Sequence, residues 1–124
     1  MKTYRALLFV FCLVPSSLFA LEDTYAAIAY SPSTGLWGTS YRQPTQQAAY
    51  SQAVANCYAP DCQVQVWGRD TCIALAVGRD NMSQPPIYGW AYDRSVIDAQ
   101  RMAMERCFDT FRACQMVASV CSGF

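Results

Sequence analysis

A stretch of about fifty residues is written twice in this chain, cysteines included, so the fold must be buildable from two copies of one unit. The segment 25–72 runs parallel to 72–121. Tyr25-Ala-Ala-Ile-Ala-Tyr30 matches Cys72-Ile-Ala-Leu-Ala-Val77, Trp37-Gly38-Thr39-Ser40-Tyr41 matches Tyr88-Gly89-Trp90-Ala91-Tyr92, and Cys62-Gln63-Val64-Gln65-Val66 matches Cys114-Gln115-Met116-Val117-Ala118. Each copy reads as strand, strand, helix, strand. The expected class is α+β: two β-β-α-β units related by a pseudo-two-fold axis, with a mixed or antiparallel sheet carrying both helices on one face.

Local signals support each element. Tyr25 to Ser31 and Leu36 to Tyr41 flank the turn cluster Ser31-Pro32-Ser33-Thr34-Gly35 and predict a hairpin. Ala49, Tyr50, Ala53, Val54 and Cys57 recur at helical spacing and Pro60 ends that segment. Val64 and Val66 alternate with Gln63 and Gln65, as a strand with one wet face requires. Cys72 to Gly78 is apolar throughout and predicts a central strand buried on both sides. Ser95 opens a second helix in capping-box fashion, with Val96, Ala99, Ala103, Met104 and Cys107 on one stripe and Asp98, Arg101, Glu105 and Asp109 on the other. Small residues at the buried positions of both helices let them approach closely. The stretch Arg79 to Pro86 is longer than its counterpart and predicts a protruding loop.

The first twenty residues read as a secretory signal. Lys2 and Arg5 precede the apolar run Ala6 to Val14, and Ser16 to Ala20 ends in a small residue, with cleavage expected after Ala20. The run is shorter than the roughly 20 residues a permanent span needs, so no stable membrane span is expected after removal. Residues 21–124 then form one domain in the periplasm or outside the cell, enough to bury about two-thirds of its unfolded surface. That part carries more carboxylates than arginines. No basic cluster offers a surface for nucleic acid.

Of seven cysteines, Cys12 lies in the leader. The six others are an even set in an exported domain and are expected to be paired. Fifteen connectivities are possible. Matching positions in the repeat select Cys57 with Cys62 and Cys107 with Cys114, each closing a helix-to-strand turn. Cys72 with Cys121 is then left as a bridge tying the two halves together. Loop-closure entropy assigns about 2 kcal/mol to each short bridge and about 4 to the long one.

The chain has no histidine, and its only lysine lies in the leader. Histidine- and lysine-based nucleophile arrangements are therefore excluded, and with them most hydrolase mechanisms. Zinc would want Cys-x-x-Cys pairs or histidines, calcium a complete alternating loop that Asp80-Asn81-Met82-Ser83 lacks. No metal site and no cofactor is expected. Paired carboxylates drawn from Asp70, Asp80, Asp93, Asp98, Glu105 and Asp109 are the surviving catalytic option, although a helix cap for Asp98, a solvated helix face for Glu105 and Asp109, and turns for Asp80 and Asp93 explain them better.

Aromatic residues form the other signal: Trp37, Tyr41, Trp67, Tyr88, Trp90 and Tyr92. Strand alternation sends about half of such residues to the core, yet three tryptophans are many for a small domain, because each buried indole N–H needs a partner. Trp37, Trp67, Trp90, Tyr92, Arg69 and Arg79 are the candidate binding residues, since Trp, Tyr and Arg carry interface energy.

The ordered set Tyr25-Ala-Ala-Ile-Ala-Tyr-Ser-Pro-Ser-Thr-Gly-x-Trp-Gly, Cys57-x4-Cys62, Val64-x-Val66-Trp67, Cys72-x-Ala74-Leu75-Ala76-Val77-Gly78 and Tyr88-Gly89-Trp90 resembles a bacterial family of small exported proteins, a domain of unknown function of the DUF4189 type. The resemblance implies an envelope or secreted setting and interaction rather than catalysis, and supplies no catalytic residues. Three readings of function follow. The first is a non-enzymatic binding protein acting on another protein of the envelope, as an inhibitor or immunity-type factor. The second is a peptidoglycan-binding module, and the third a carboxylate-based wall hydrolase.

Overall fold

A computed structural model describes residues 23–111 and 113–123. The expected signal, residues 1–20, lies outside the described residues. The first unit comprises β1 (Tyr25–Tyr30), β2 (Trp37–Gln43), α1 (Gln46–Ala55) and β3 (Gln63–Arg69). The second repeats it as β4 (Cys72–Gly78), β5 (Ile87–Asp93), α2 (Val96–Phe108) and β6 (Cys114–Cys121). Each unit folds into its own antiparallel sheet with its first strand in the middle, in the orders β2-β1-β3 and β5-β4-β6.

The α+β class and the two β-β-α-β units are as the sequence predicts, but the strands form two sheets rather than one sheet with both helices on one face. Two three-stranded sheets stack on each other, and each helix packs only on the outer face of its own sheet. The reason is a sorting of side chains by size along the central strands, where successive residues point to opposite faces. Ala26, Ile28 and Tyr30 of β1 meet Ile73, Leu75 and Val77 of β4 in the layer between the sheets, joined by Val66 and Ala118. The intervening residues are alanines. Ala27 and Ala29 face Ala49 and Ala53 of α1, while Ala74 and Ala76 face Ala99 and Ala103 of α2. Each large aliphatic side chain between the sheets contributes roughly 1.5–3 kcal/mol by leaving water.

Glycine sets how closely each helix approaches. A Cβ on Gly38 would overlap the Ala53 carbonyl oxygen and the backbone at Asn56 and Cys57. One on Gly89 would overlap the Ala103 carbonyl oxygen and Cys107. The two glycines occupy the same place in the two units, each opposite an alanine of the central strand, Ala29 and Ala76. The helix starts match too: the Thr45 hydroxyl accepts from the Ala48 N–H at 3.0 Å and the Ser95 hydroxyl from the Asp98 N–H at 3.3 Å, one of the orphan donors each helix start must satisfy.

Contacts between the sheets respect exchange of the units. β1 lies on β4, β2 meets β6 as β5 meets β3, and β3 meets β4 as β6 meets β1. Only Asp70 and Thr71 connect β3 to β4, with Asp70 in the left-handed region at φ 51°. Ser122, fully buried just past β6, ties the ends together. Its N–H donates to the Thr71 carbonyl at 2.8 Å, its hydroxyl accepts from the Thr71 N–H at 3.0 Å, and its carbonyl accepts from the Arg42 N–H at 2.7 Å.

The cystines join Cys57 to Cys62, Cys107 to Cys114 and Cys72 to Cys121. The long bridge has a different role from the one expected. Cys72 belongs to β4 and Cys121 to β6, neighbours in one sheet, so the bridge closes the second unit on itself, with Cα atoms 3.8 Å apart. The matching pair in the first sheet is Tyr25 opposite Arg69. Among the described residues no helix is long and apolar enough to cross a membrane.

Candidate functional site

The offset stacking leaves the inner face of β5 only partly covered, because β5 touches the other sheet through its edge strand β3 alone. Gly89 and Ala91 face α2, so Tyr88, Trp90 and Tyr92 line the opposite face of β5. Tyr88, nearest the core, meets the Tyr30 ring edge to face at 5.8 Å, and burial raises the pKa of its hydroxyl. Trp90 and Tyr92 run on into solvent. On β3, Trp67 alternates with the buried Val66 and stacks on Tyr25 at 6.3 Å between ring centres.

These surfaces bound an open cleft of about 860 Å³ around the free edge of β3, walled by Gln65, Trp67, Arg69, Trp90, Tyr92 and Arg94. Gln46 from the first turn of α1, Tyr25 and Asp70 complete it. A shallower hollow of about 360 Å³ shares Trp90 and Tyr92 and extends the surface to Tyr88 and Arg106. Four of the six residues singled out by sequence therefore converge: Trp67, Arg69, Trp90 and Tyr92. None of the three tryptophans is in the core; Trp67, Trp90 and Trp37 are 40, 45 and 49% exposed.

Two arginines and one carboxylate, Arg69, Arg94 and Asp70, line the cleft. The Tyr25 hydroxyl and then Asp23 hold the Arg69 guanidinium more firmly protonated, and the Arg69–Asp23 pair is loose at 3.7 Å and exposed. Arg106 donates to the Trp90 carbonyl at 2.6 Å and lies 5.7 Å from the centre of its ring. Asp70 is engaged locally, accepting from the Thr24 N–H at 2.9 Å, which holds its pKa below the ordinary range.

Trp37 and Arg79 lie elsewhere. They line a second cleft of about 570 Å³ between β2 and β6, together with Tyr30, Met82 and Gln115. Arg79 is engaged within the fold rather than free for a partner. Its guanidinium donates to the Pro32 carbonyl and the Tyr30 hydroxyl, both at 2.7 Å, and to the Gln84 carbonyl at 3.3 Å, and it sits 5.8 Å from the Tyr30 ring centre. The Arg79–Pro86 segment is thus anchored on the β1–β2 hairpin, with Met82 in reach of Gly35.

Four of the six carboxylates weighed for catalysis, Asp70, Asp93, Asp98 and Glu105, have structural partners. Asp93 accepts from the Ser95 N–H at 2.9 Å, and Asp98 and Glu105 share Arg101 at 3.6 and 2.9 Å. Sequence reading missed Tyr25, Arg94 and Arg106. Arg106 had a signal in the repeat: it matches Asn56, whose amide donates to the Thr39 carbonyl at 2.8 Å as Arg106 does to that of Trp90.

Fold and cleft together define a duplicated, cystine-stapled α+β protein with an exposed aromatic groove at the junction of its units. The chain belongs to the family described as domain of unknown function DUF4189, whose model matches residues 25–121. Protein Mb1300c of Mycobacterium bovis and Protein Rv1269c of Mycobacterium tuberculosis are each 50% identical to it over 42 residues, which is 34% of this chain and 33% of theirs. The match thus spans about a third of the length of those relatives. No solved structure matches the chain.

Proposed function

We propose that the chain is an exported, non-enzymatic binding protein whose target is another protein of the cell envelope, held in the β3–β5 cleft as an inhibitor or immunity-type factor would hold it. The observation that supports this reading is the convergence of Trp67, Arg69, Trp90 and Tyr92 from two units on one open surface. Exposed Trp, Tyr and Arg are the residues that dominate binding energy at interfaces, and the framework of cystines and paired sheets presents them with little ordering cost. The structural engagement of Asp93, Asp98 and Glu105 favours binding over a carboxylate mechanism.

The test is retention of envelope proteins on the immobilised chain, compared with Trp67→Ala/Trp90→Ala and with Trp37→Ala. A partner retained by the wild type and by Trp37→Ala but lost from the double variant supports the reading. Equal retention by the double variant overturns it. A glycan reading has its own support in Gln46 and Gln65 beside the aromatic faces, where amides could bond sugar hydroxyls. Co-sedimentation with purified peptidoglycan that requires Trp67 and Trp90 would establish it instead.

A further inference from the structure

Resting on the cleft as a binding site, we infer that its occupant is an extended, acidic segment of a partner protein, laid along the free edge of β3. Two observations on different levels point there. The first is the backbone. β3 pairs with β1 on one side and with no strand on the other, and the cleft wraps that open side from Gln65 to Asp70. An unpaired strand edge is a template for an added strand, whose main chain supplies hydrogen bonds while alternate side chains reach flanking surfaces. Trp67 and Tyr25 flank one side of this edge, and Trp90 and Tyr92 the other.

The second is charge. The cleft and its extension gather Arg69, Arg94 and Arg106, although carboxylates and cationic groups balance in the whole sequence, nine of each. The cleft's own carboxylate, Asp70, is turned to Thr24. Arg106 lies over Trp90 with one Nη engaged by a carbonyl, which fixes a planar fork beside the groove. Such a fork matches a carboxylate in shape as well as charge. Glutamates or aspartates at alternate positions of an added strand would meet the Arg106 fork on the Trp90 flank, while the residues between them lie on Trp67 and Tyr25 on the other flank. A neutral glycan would use the aromatic faces but leave both the strand edge and the arginines without a role.

The probe is a blocked octapeptide of alternating glutamate and valine, with its glutamine counterpart and a tetramer of N-acetylglucosamine as comparisons. The readout is the indole N–H resonances of the oxidised exported protein. Trp37 in the other cleft serves as the internal reference. The glutamate peptide is expected to shift Trp67 and Trp90 and leave Trp37 in place. The glutamine peptide should bind about tenfold more weakly, the combined effect of two or three exposed ion pairs, and the difference should shrink as salt shortens the Debye length to about 3 Å at 1 M. Arg94→Gln, an exposed change that leaves the fold intact, should narrow the same difference. Equal binding of both peptides leaves the cleft as the site but overturns the acidic occupant. Shifts with the sugar tetramer and neither peptide overturn it in favour of glycan, and indole shifts on simple dilution overturn it in favour of a second copy. No response to any probe overturns this inference, while retention of partners by Trp67 and Trp90 still decides the broader reading.

Discussion

The clefts at the two ends of the pseudo-two-fold have the same origin and opposite contents. Each forms where the second strand of one unit overhangs the last strand of the other, β5 over β3 and β2 over β6. At the β3–β5 end, the positions facing solvent carry Trp67 and Trp90. At the β2–β6 end, their repeat partners are Ser119 and Thr39, and Ser119 accepts a hydrogen bond from Gln100 of α2 at 2.7 Å. The Arg79–Pro86 segment then folds back over that side. Duplication supplies two grooves, and substitution has left one open and aromatic while the other is partly filled by an inserted loop. The binding function proposed for this symmetric scaffold is thereby assigned to one face.

The largest test of this division concerns the bridge that only one unit has. Replacing Cys72 and Cys121 by alanine removes a closure across 49 residues and should cost about 4 kcal/mol, against about 2 for the Cys57–Cys62 pair. Denaturant unfolding of both double variants gives the comparison. The reciprocal change is sharper. Tyr25→Cys with Arg69→Cys places thiols at the matching register of the first sheet; the bridge should form and abolish partner retention, because it removes Tyr25 and Arg69 from the open cleft. Retention that survives would show that this wall of the cleft carries no recognition.

Smaller is the effect of freeing the inserted loop. Arg79→Ala deletes charge-assisted bonds to the Pro32 carbonyl and the Tyr30 hydroxyl and should destabilise the protein by about 2 kcal/mol. Amide exchange should accelerate across residues 79–86 and the β1–β2 turn, with the β3–β5 cleft unaffected. Lysine at this position should rescue only partly, since an ammonium cannot reproduce the planar fork. Acceleration at β3 instead would mean that the two ends are coupled rather than independent.

Much of this architecture was legible in the chain. The element order, the central β4 strand, the Ser95 cap and the cystine pairs follow from the repeat and from local periodicity, because those signals act between residues close in sequence or duplicated. The layering was not read, although the alternation of Ala27 and Ala29 with Ile28, and of Ala74 and Ala76 with Ile73 and Leu75, carries it. Periodicity says that both faces of β1 and β4 are buried; only side-chain volume says that one face meets a helix and the other a sheet. The Cys72–Cys121 bridge was expected to tie the halves together because the repeat shares Cys72 as a boundary, whereas the register sets both cysteines opposite each other within the second unit's own sheet. Exposure of Trp67 and Trp90 was beyond reach, since it depends on which strands overhang after two sheets dock. Arg94 and Arg106 are ordinary helix-flanking and helix-surface arginines until that docking brings them beside the indoles.

The smallest expected effect separates the ends by acid. Asp61 supports the filled side, accepting from the buried Ser31 hydroxyl and from the Ser33 N–H at 3.0 Å, and Ser31 above all holds its pKa below the ordinary 3.8. Asp70 supports the open side, with the Thr24 N–H as the main cause of its lowered value. A depressed carboxyl binds fewer protons in the folded state than in the unfolded one. Its contribution is therefore complete above the unfolded pKa and lost as pH falls through the folded one. Asp61→Asn and Asp70→Asn should each be slightly less stable than wild type near pH 7, with both differences closing below about pH 4. Resonances distinguish them: at neutral pH the Trp37 indole should respond to Asp61→Asn and the Trp67 indole to Asp70→Asn. If either substitution moved both indoles alike, the two clefts would be one cooperative structure, and filling the first would be part of how the second is held open.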